Sequence, residues 1–228
     1  MEITKITAQA RNSHKVNVFI DGQFNLSLSL AQLNQLGLKV GQQLQPEDFK
    51  MLKSESLFGK YYGMALDFLA KRARSESEMR RFVIAKSSKN RVIKKRSGEI
   101  IKLKAEISAD EAESLSAKII THLKNKKYLN DGEFAGSWLK SVAHRNYSSL
   151  KLKNELVKKG ISLEIIDQVT AEISGDEHQT KTLKKLVAKL KTKTRYQDDL
   201  KLKRYLVGRG FDYSLVKEAI DDNEAEVS

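Results

Sequence analysis

Residues 148–161 read SSLKLKNELVKKGI, and residues 198–211 read DDLKLKRYLVGRGF. Each segment begins with a residue type that caps helices, continues with apolar residues at three- and four-residue spacing, and ends with a glycine before an apolar residue. The matched positions, fifty residues apart, are Leu152 and Leu202, Leu156 and Leu206, Val157 and Val207, Gly160 and Gly210, and Ile161 and Phe211. Because an apolar face, a cap and a stop glycine recur together, the two segments predict copies of one helical unit.

The repeated unit extends further and has a third, weaker copy earlier in the chain. Ser162 and Asp212 cap a second matching helix, and Met79, Val83 and Ile84 match the first helix at an offset of 73 residues. One repeat position holds arginine in all three copies, at Arg72, Arg145 and Arg195. Each copy is predicted to contain three short helices, which bury enough surface only when neighbours stack. The predicted fold class is mainly α, with tandem three-helix repeats that form an elongated, curved array.

A small α+β module is predicted before the repeats. Apolar residues alternate on both sides of Asp21-Gly22, a dipeptide that favours a tight β-hairpin turn. These apolar residues are Val16, Val18, Ile20, Phe24, Leu26 and Leu28. Residues 3–10 predict a further strand, residues 29–36 predict a capped helix, and Pro46 is suited to the first turn of another helix.

The region after residue 56 is predicted to be helical except for one basic insertion. Residues 75–78 (SESE) and 108–111 (SADE) have the capping-box pattern of a helix start. Residues 91–103 (RVIKKRSGEIIKL) carry two β-prone runs around Ser97-Gly98, which predict a basic hairpin or ordered loop; a disordered insertion is the alternative. The predicted division is an α+β module over 1–55, repeat 1 over 56–128 with the insertion at about 88–105, repeat 2 over 129–174, repeat 3 over 175–222, and an acidic tail over 223–228.

Positive charge is concentrated in two parts of the chain, whose formal net charge is +13. Residues 71–104 hold 13 basic and 3 acidic side chains, and residues 181–209 hold 11 and 2. Such stretches attract a polyanion, since neutralising phosphates releases condensed counterions. A solvated basic face that only keeps the protein soluble is the alternative.

The sequence lacks the patterns of common catalytic sites. It has no G-x-x-x-x-G-K-[S/T] phosphate loop and no cysteine, and its histidines do not have metal-ligand spacing. We therefore expect no catalytic residues, no cofactor and no metal, in a protein that is not an enzyme. No apolar stretch is long enough for a membrane span and no signal peptide pattern is present, which indicates a cytoplasmic protein. Trp138 and Phe82 are predicted to pack in the core, whereas Tyr61 and Tyr196 are candidates for stacking on nucleic-acid bases.

Several motifs, taken in order, resemble the RecX family of bacterial RecA regulators. They are residues 65–79 (ALDFLAKRARSESEM), 131–145 (DGEFAGSWLKSVAHR) and 152–161 (LKNELVKKGI). Residues 16–24 (VNVFIDGQF) and 36–42 (LGLKVGQ) are similar to the N-terminal extension of longer members. The chain departs from the family where Lys86-Ser87-Ser88 replaces a Lys-Gly-aromatic ending, and where Tyr205 and Gly208 replace polar residues of the repeat.

The resemblance implies a monomeric protein that binds RecA filaments on DNA and inhibits the recombinase and coprotease activities of RecA in DNA repair and the SOS response. The residues expected to contact a polyanion or an acidic partner are Arg72, Arg74, Arg80, Arg81, Lys94, Lys95, Arg96, Arg145, Lys151, Lys153, Lys201, Lys203 and Arg204. A stand-alone DNA- or RNA-binding helical module without a RecA partner is the alternative, because basic three-helix units also occur in such proteins.

Overall fold

The computed structural model describes residues 1–10, 12–94 and 100–227. Its strands are β1 (Ile3–Gln9), β2 (Asn12–Ile20), β3 (Gln23–Ser29), β4 (Arg91–Lys94) and β5 (Ile100–Leu103). Its helices are α1 (Leu30–Leu36), α2 (Pro46–Lys71), α3 (Glu76–Ser87), α4 (Ala109–Asn125), α5 (Asp131–Val142), α6 (Ser149–Lys158), α7 (Leu163–Thr170), α8 (Asp176–Lys191), α9 (Asp199–Gly208) and α10 (Tyr213–Val227). The prediction of a mainly α fold with a small N-terminal α+β module is confirmed.

The chain forms two compact units. The first comprises residues 1–73 and 79–128, and the second comprises residues 74–78 and 129–228. The first unit therefore groups the α+β module with most of the predicted repeat 1, and the second contains repeats 2 and 3. The predicted five-part division and the curvature of the array remain predictions.

The first unit contains a three-stranded antiparallel sheet in the order β1-β2-β3. The turn between β2 and β3 has positive φ at Asp21 (48°) and Gly22 (80°), as the hairpin prediction requires. The prediction that Phe24 shares a face with Leu26 is wrong, since Phe24 is 57% exposed whereas Leu26 is buried. A register shift after Val18 pairs that residue with Leu26 but pairs Phe19 with Phe24, so a β-bulge breaks the alternation.

The basic insertion contains a pair of short strands. β4 and β5 are antiparallel, with Arg91 opposite Leu103 and Lys94 opposite Ile100. The structure thus contains the two strands of the predicted hairpin, while the predicted turn at Ser97-Gly98 lies outside the described residues.

The second unit contains two successive sets of three helices, α5–α6–α7 and α8–α9–α10. The two sets use matching core positions fifty residues apart, so that Leu156 and Leu206 are both fully buried. Ile161 and Ile166 pack in the first core, and their counterparts Phe211 and Val216 pack in the second. The predicted caps are also present, because Ser148 accepts from the N–H of Lys151, and Asp198 accepts from the N–H groups of Leu200 and Lys201.

Two serine hydroxyls make corresponding hydrogen bonds within this unit. The Ser75 hydroxyl donates to the Lys159 carbonyl at 2.7 Å, and the Ser148 hydroxyl donates to the Gly210 carbonyl at 2.6 Å. Both hydroxyls also accept from the N–H of the helix that they cap. Ser148 therefore caps the start of α6 and contacts the end of α9, the matching helix of the next repeat.

Candidate basic interaction surface

Several cationic and aromatic side chains converge at the junction between α6 and α9. We call Arg145, Tyr147, Lys151, Tyr205 and Arg209 the Tyr147 cluster. The Lys151 ammonium lies 4.8 Å from the centroid of the Tyr147 ring, and the guanidinium carbons of Arg209 and Arg145 lie at 5.2 and 6.0 Å. These distances lie within the range of cation–π attraction.

Local backbone structure brings these side chains together. Arg145 ends a 3₁₀ turn after α5, and Asn146 in the left-handed region (φ 48°) turns the chain toward α6. Tyr147 precedes the Ser148 cap, which places Lys151 in the first turn of α6. Arg209 arrives from the end of α9, because the N–H of Ser148 donates to the Arg209 carbonyl at 3.1 Å.

Arg209 lies between two tyrosine rings. Its guanidinium carbon is 4.7 Å from the centroid of the Tyr205 ring, and its Nη2 donates to the Tyr205 hydroxyl. Lys151 is held in a similar way, because its ammonium donates to the Gly208 carbonyl. Tyr196 extends the aromatic surface, since its ring centroid is 4.9 Å from that of Tyr205. The Arg195 guanidinium carbon lies 5.6 Å from the centroid of the Tyr196 ring. The cluster is therefore an ordered surface of rings and cations.

The cations create a positive potential at the phenol of Tyr147. A hydrogen bond from Arg145 lowers the pKa of Tyr147, and the positive charges of Arg145, Lys151 and Arg209 lower it further, while partial burial opposes the change. A site that stabilises a phenolate also stabilises other anions, phosphates and carboxylates included.

The three cations of the cluster, of which Arg145 and Lys151 were predicted contact residues, form no close ion pair with a described carboxylate. Within the described part of the chain, no carboxylate forms an ion pair within 4.0 Å of Arg145, Lys151 or Arg209, although the charge of Lys151 helps to lower the pKa of Glu155, which pairs with Lys158. In contrast, Arg80 pairs with Glu113 at 2.9 Å, Lys153 pairs with Asp167 at 2.8 Å, and Lys201 pairs with Asp198 at 3.6 Å. The positive charge of the cluster is thus available to an external anion.

The remaining predicted residues are divided between the two units. Arg72, Arg80 and Arg81 belong to the first unit and Arg74 to the second. Arg72 donates to the carbonyl of Ala73 at 2.9 Å. Lys203 and Arg204 are on α9 with Lys201, and the Arg204 side chain is exposed. Lys94 is in β4, and Lys95 and Arg96 lie outside the described residues.

The sequence prediction omitted Arg209, Tyr147 and Tyr205. One signal was available, because Arg209 occupies the same repeat position as Lys159, immediately before the stop glycine. Lys159 also faces an aromatic ring, with its ammonium 5.3 Å from that of Trp138. The residue before the stop glycine thus places a cation against an aromatic ring in both repeats.

The prediction that Tyr61 could stack on bases is wrong. Tyr61 is only 1% exposed, and its hydroxyl donates to Glu106 and lies 3.3 Å from the Lys86 carbonyl oxygen. Phe82 is half-buried, and its ring stacks on that of Phe68 at 4.1 Å. Trp138 packs against the core formed by α5, α6 and α7.

Two features are absent among the described residues. Their side chains include no group of three or more histidines and carboxylates that could hold a metal ion. Among the helices they form, none is long and apolar enough to cross a membrane.

The fold and the surface define a helical-repeat protein with a small N-terminal α+β module and a cation-rich junction between repeats. Residues 1–45 match the family description "Regulatory protein RecX N-terminal domain", and residues 130–169 match "RecX, second three-helix domain". The chain belongs to the RecX family, as predicted.

Relatives from bacteria are similar along nearly the whole chain. A "Regulatory protein RecX" of Bacillus pumilus is 30% identical, over 96% of this chain and 76% of the relative. One of Clostridium beijerinckii is 28% identical, over 96% of this chain and 94% of the relative. A crystal structure of a regulatory protein RecX has the same fold, with a TM-score of 0.66 and 21% identity, over 97% of this chain and 98% of the other.

Proposed function

We propose that this protein binds RecA, or RecA filaments on DNA, and inhibits the recombinase and coprotease activities of RecA in DNA repair and the SOS response. It acts in the cytoplasm by binding, without a reaction of its own. The coarser conclusion, that the chain is a member of a family of regulatory proteins, rests on the similarity to its relatives.

The observation that carries the proposal is the Tyr147 cluster. Three cations that form no ion pair within 4.0 Å of a described carboxylate lie around one half-buried ring at the junction of two repeats. A filament on DNA presents phosphates, and guanidinium groups bind phosphates and carboxylates through paired hydrogen bonds. Repeated contacts along the predicted array would add to this affinity without any one strong pocket.

The test is inhibition of RecA's DNA-dependent ATPase and strand exchange at several salt concentrations. The cluster variant combines Arg145→Gln, Lys151→Gln and Arg209→Gln. The matched control combines Lys60→Gln, Lys158→Gln and Lys184→Gln, which removes the same charge from residues that are paired with carboxylates and are not among the predicted contact residues. We expect the cluster variant to lose most inhibition and the control to retain it.

The salt dependence gives a second measurement. Each lost phosphate contact should reduce the slope of log affinity against log salt by about 0.9 on duplex DNA. If the two triple variants lose inhibition of RecA equally, only the total charge of the protein matters, and the role of the cluster is refuted. No inhibition by the wild-type protein would refute the function itself.

The basic insertion supplies a further test of the same proposal. Charge reversal at Lys94, Lys95 and Arg96 should weaken inhibition and flatten its dependence on salt. An unchanged inhibition curve would remove the insertion from the set of contact residues.

Stand-alone binding to DNA or RNA is the second candidate function. The observation in its favour is that rings and cations alternate in the cluster, as they do where single strands stack on proteins. This candidate is correct if affinity for DNA is the same with and without RecA while RecA's ATPase is unaffected.

A further inference from the structure

A cavity of about 390 Å³ lies beside the Tyr147 cluster, within the second unit. Its apolar walls come from several helices of both repeats and include Leu139, Val142, Leu152, Val169 and Phe211. The volume is in the lower range of ligand sites in proteins, and a cavity of about 150 Å³ already holds a benzene ring. One large apolar side chain from a partner would therefore fit.

The charged side chains at and beside the cavity are all positive among the described residues that line it or belong to the Tyr147 cluster. Of the described side chains that line it, Lys140 alone is charged. Tyr147 also lines the cavity, so the wall is continuous with the surface that carries Arg145, Lys151 and Arg209. An occupant that enters here brings its flanking groups close to cations that have no acidic partners within the described chain.

Apolar side chains form most of the lining, which favours an apolar side chain over a nucleobase. Asn146, Ser149, Gln179 and Thr182 also line the cavity, but the amide groups of Asn146 and Gln179 already donate to the carbonyls of His144 and Ser174. The Ser148 hydroxyl already donates to the Gly210 carbonyl and accepts from the Lys151 N–H. A base has polar edges that need hydrogen-bond partners when buried, and an unpaired polar group in an apolar site is unfavourable. An aliphatic or phenyl side chain has no such requirement.

We propose that the cavity and the Tyr147 cluster together form a docking site for an acidic protein segment that carries one large apolar residue. The apolar residue occupies the cavity, and the flanking carboxylates contact Arg145, Lys151 and Arg209. The inference rests on the proposed function, since it states the chemistry of the partner at the same surface. A tight pocket that buries one anchor residue, with charged groups at its rim, is a common arrangement at protein interfaces.

Gly136 allows the cavity to be filled without disturbing the helix. It lines the cavity from α5, and a Cβ atom built there meets nothing within 4 Å. Gly136→Leu should therefore fold, and its leucine side chain should fill the part of the cavity that the partner's apolar residue would occupy. Gly63→Leu is the matched control, because Gly63 is also in a helix and its Cβ position is also open, but it is in the first unit.

The experiment measures binding of two fluorescent peptides and of a thymidine oligonucleotide to the full chain. One peptide has a phenylalanine between glutamates, and the other has an alanine in its place. We expect the phenylalanine peptide to bind the wild-type protein at least about tenfold more tightly than the alanine peptide, as burial of a phenyl group implies. Gly136→Leu should abolish this preference, and Gly63→Leu should retain it.

Three results would overturn the docking site. The wild-type protein could show no preference for the phenylalanine peptide, or the preference could survive in Gly136→Leu. The third result is that Gly136→Leu loses binding of the oligonucleotide but keeps binding of the peptides. The last result would identify a base as the occupant. The comparison of the two peptides on the wild-type protein remains decisive even if Gly136→Leu does not fold. Because inhibition of RecA is measured separately, the proposed function can stand when the docking site fails.

Discussion

Replacing Gly210 with alanine should destabilise the junction between repeats 2 and 3. Gly210 has a φ of +89°, and a Cβ atom there would lie 2.6 Å from the Cβ of Lys151 and 2.6 Å from the hydroxyl oxygen of Ser148. Lys151 Cβ is attached directly to helix backbone, so it cannot move without moving α6. The Ser148 hydroxyl is held by its hydrogen bond to the Gly210 carbonyl.

The expected size of the effect follows from three contributions. A left-handed backbone costs an alanine about 1–2 kcal/mol. Overpacking against Lys151 and Ser148 adds about 1–3 kcal/mol. Alanine also lowers the entropy of the unfolded chain, which offsets about 0.4–1 kcal/mol. The free energy of unfolding should therefore fall by about 1–5 kcal/mol.

Urea unfolding followed by tryptophan fluorescence measures this change, because Trp138 is the sole tryptophan and lies in the same unit as Gly210. The matched control is Gly208→Ala, two residues earlier, where a Cβ atom meets nothing within 4 Å. That variant should be unchanged or more stable by up to about 1 kcal/mol, since alanine favours helix over glycine. Equal unfolding midpoints for the two variants would refute the argument from close approach and positive φ.

Two further predictions concern the same junction. Ser148→Ala removes both the cap of α6 and the hydrogen bond to the Gly210 carbonyl, so it should lower the free energy of unfolding by about 1–3 kcal/mol in the same urea assay. A loss of stability smaller than the loss of an ordinary helix cap causes would contradict the double role of the hydroxyl. The phenol of Tyr147 should titrate below its ordinary pKa, as measured from the tyrosinate absorbance lost in Tyr147→Phe, and Arg145→Gln should raise that pKa. Because the pKa of Tyr147 is lower in the folded protein, ionisation of the phenol stabilises the fold fully above its ordinary pKa of about 10, and this contribution disappears as pH falls through the folded pKa. A pKa that Arg145→Gln leaves unchanged would contradict the geometry of the cluster.

Features set by short stretches of chain were predictable from the sequence. The Asp21-Gly22 turn needs positive φ at both positions, and both residues have it. The serines at 29, 108 and 148 cap helices because their hydroxyls reach an N–H three residues later. Such rules act within one helical turn or one hairpin, so the residue order alone is sufficient to apply them.

The side chains that form the candidate surface were only partly predictable. Arg145 and Lys151 were identified from their charge, but Arg209 and Tyr205 come from a helix more than fifty residues away. Lys153 was identified in the same way, yet it is paired with Asp167. Charge can be counted along a sequence, whereas ion pairing depends on which helix faces the cation after the repeats have packed.

The sequence by itself determined the repeats, the helix caps, the hairpin and the family, because periodicity, capping and turn formation depend on neighbouring residues. Only the tertiary structure decided that a β-bulge exposes Phe24, that Tyr61 is buried, and that Arg209 lies between the rings of Tyr147 and Tyr205. The physical reason is that burial and cation–π contacts depend on distances between segments remote in the chain, and packing sets those distances.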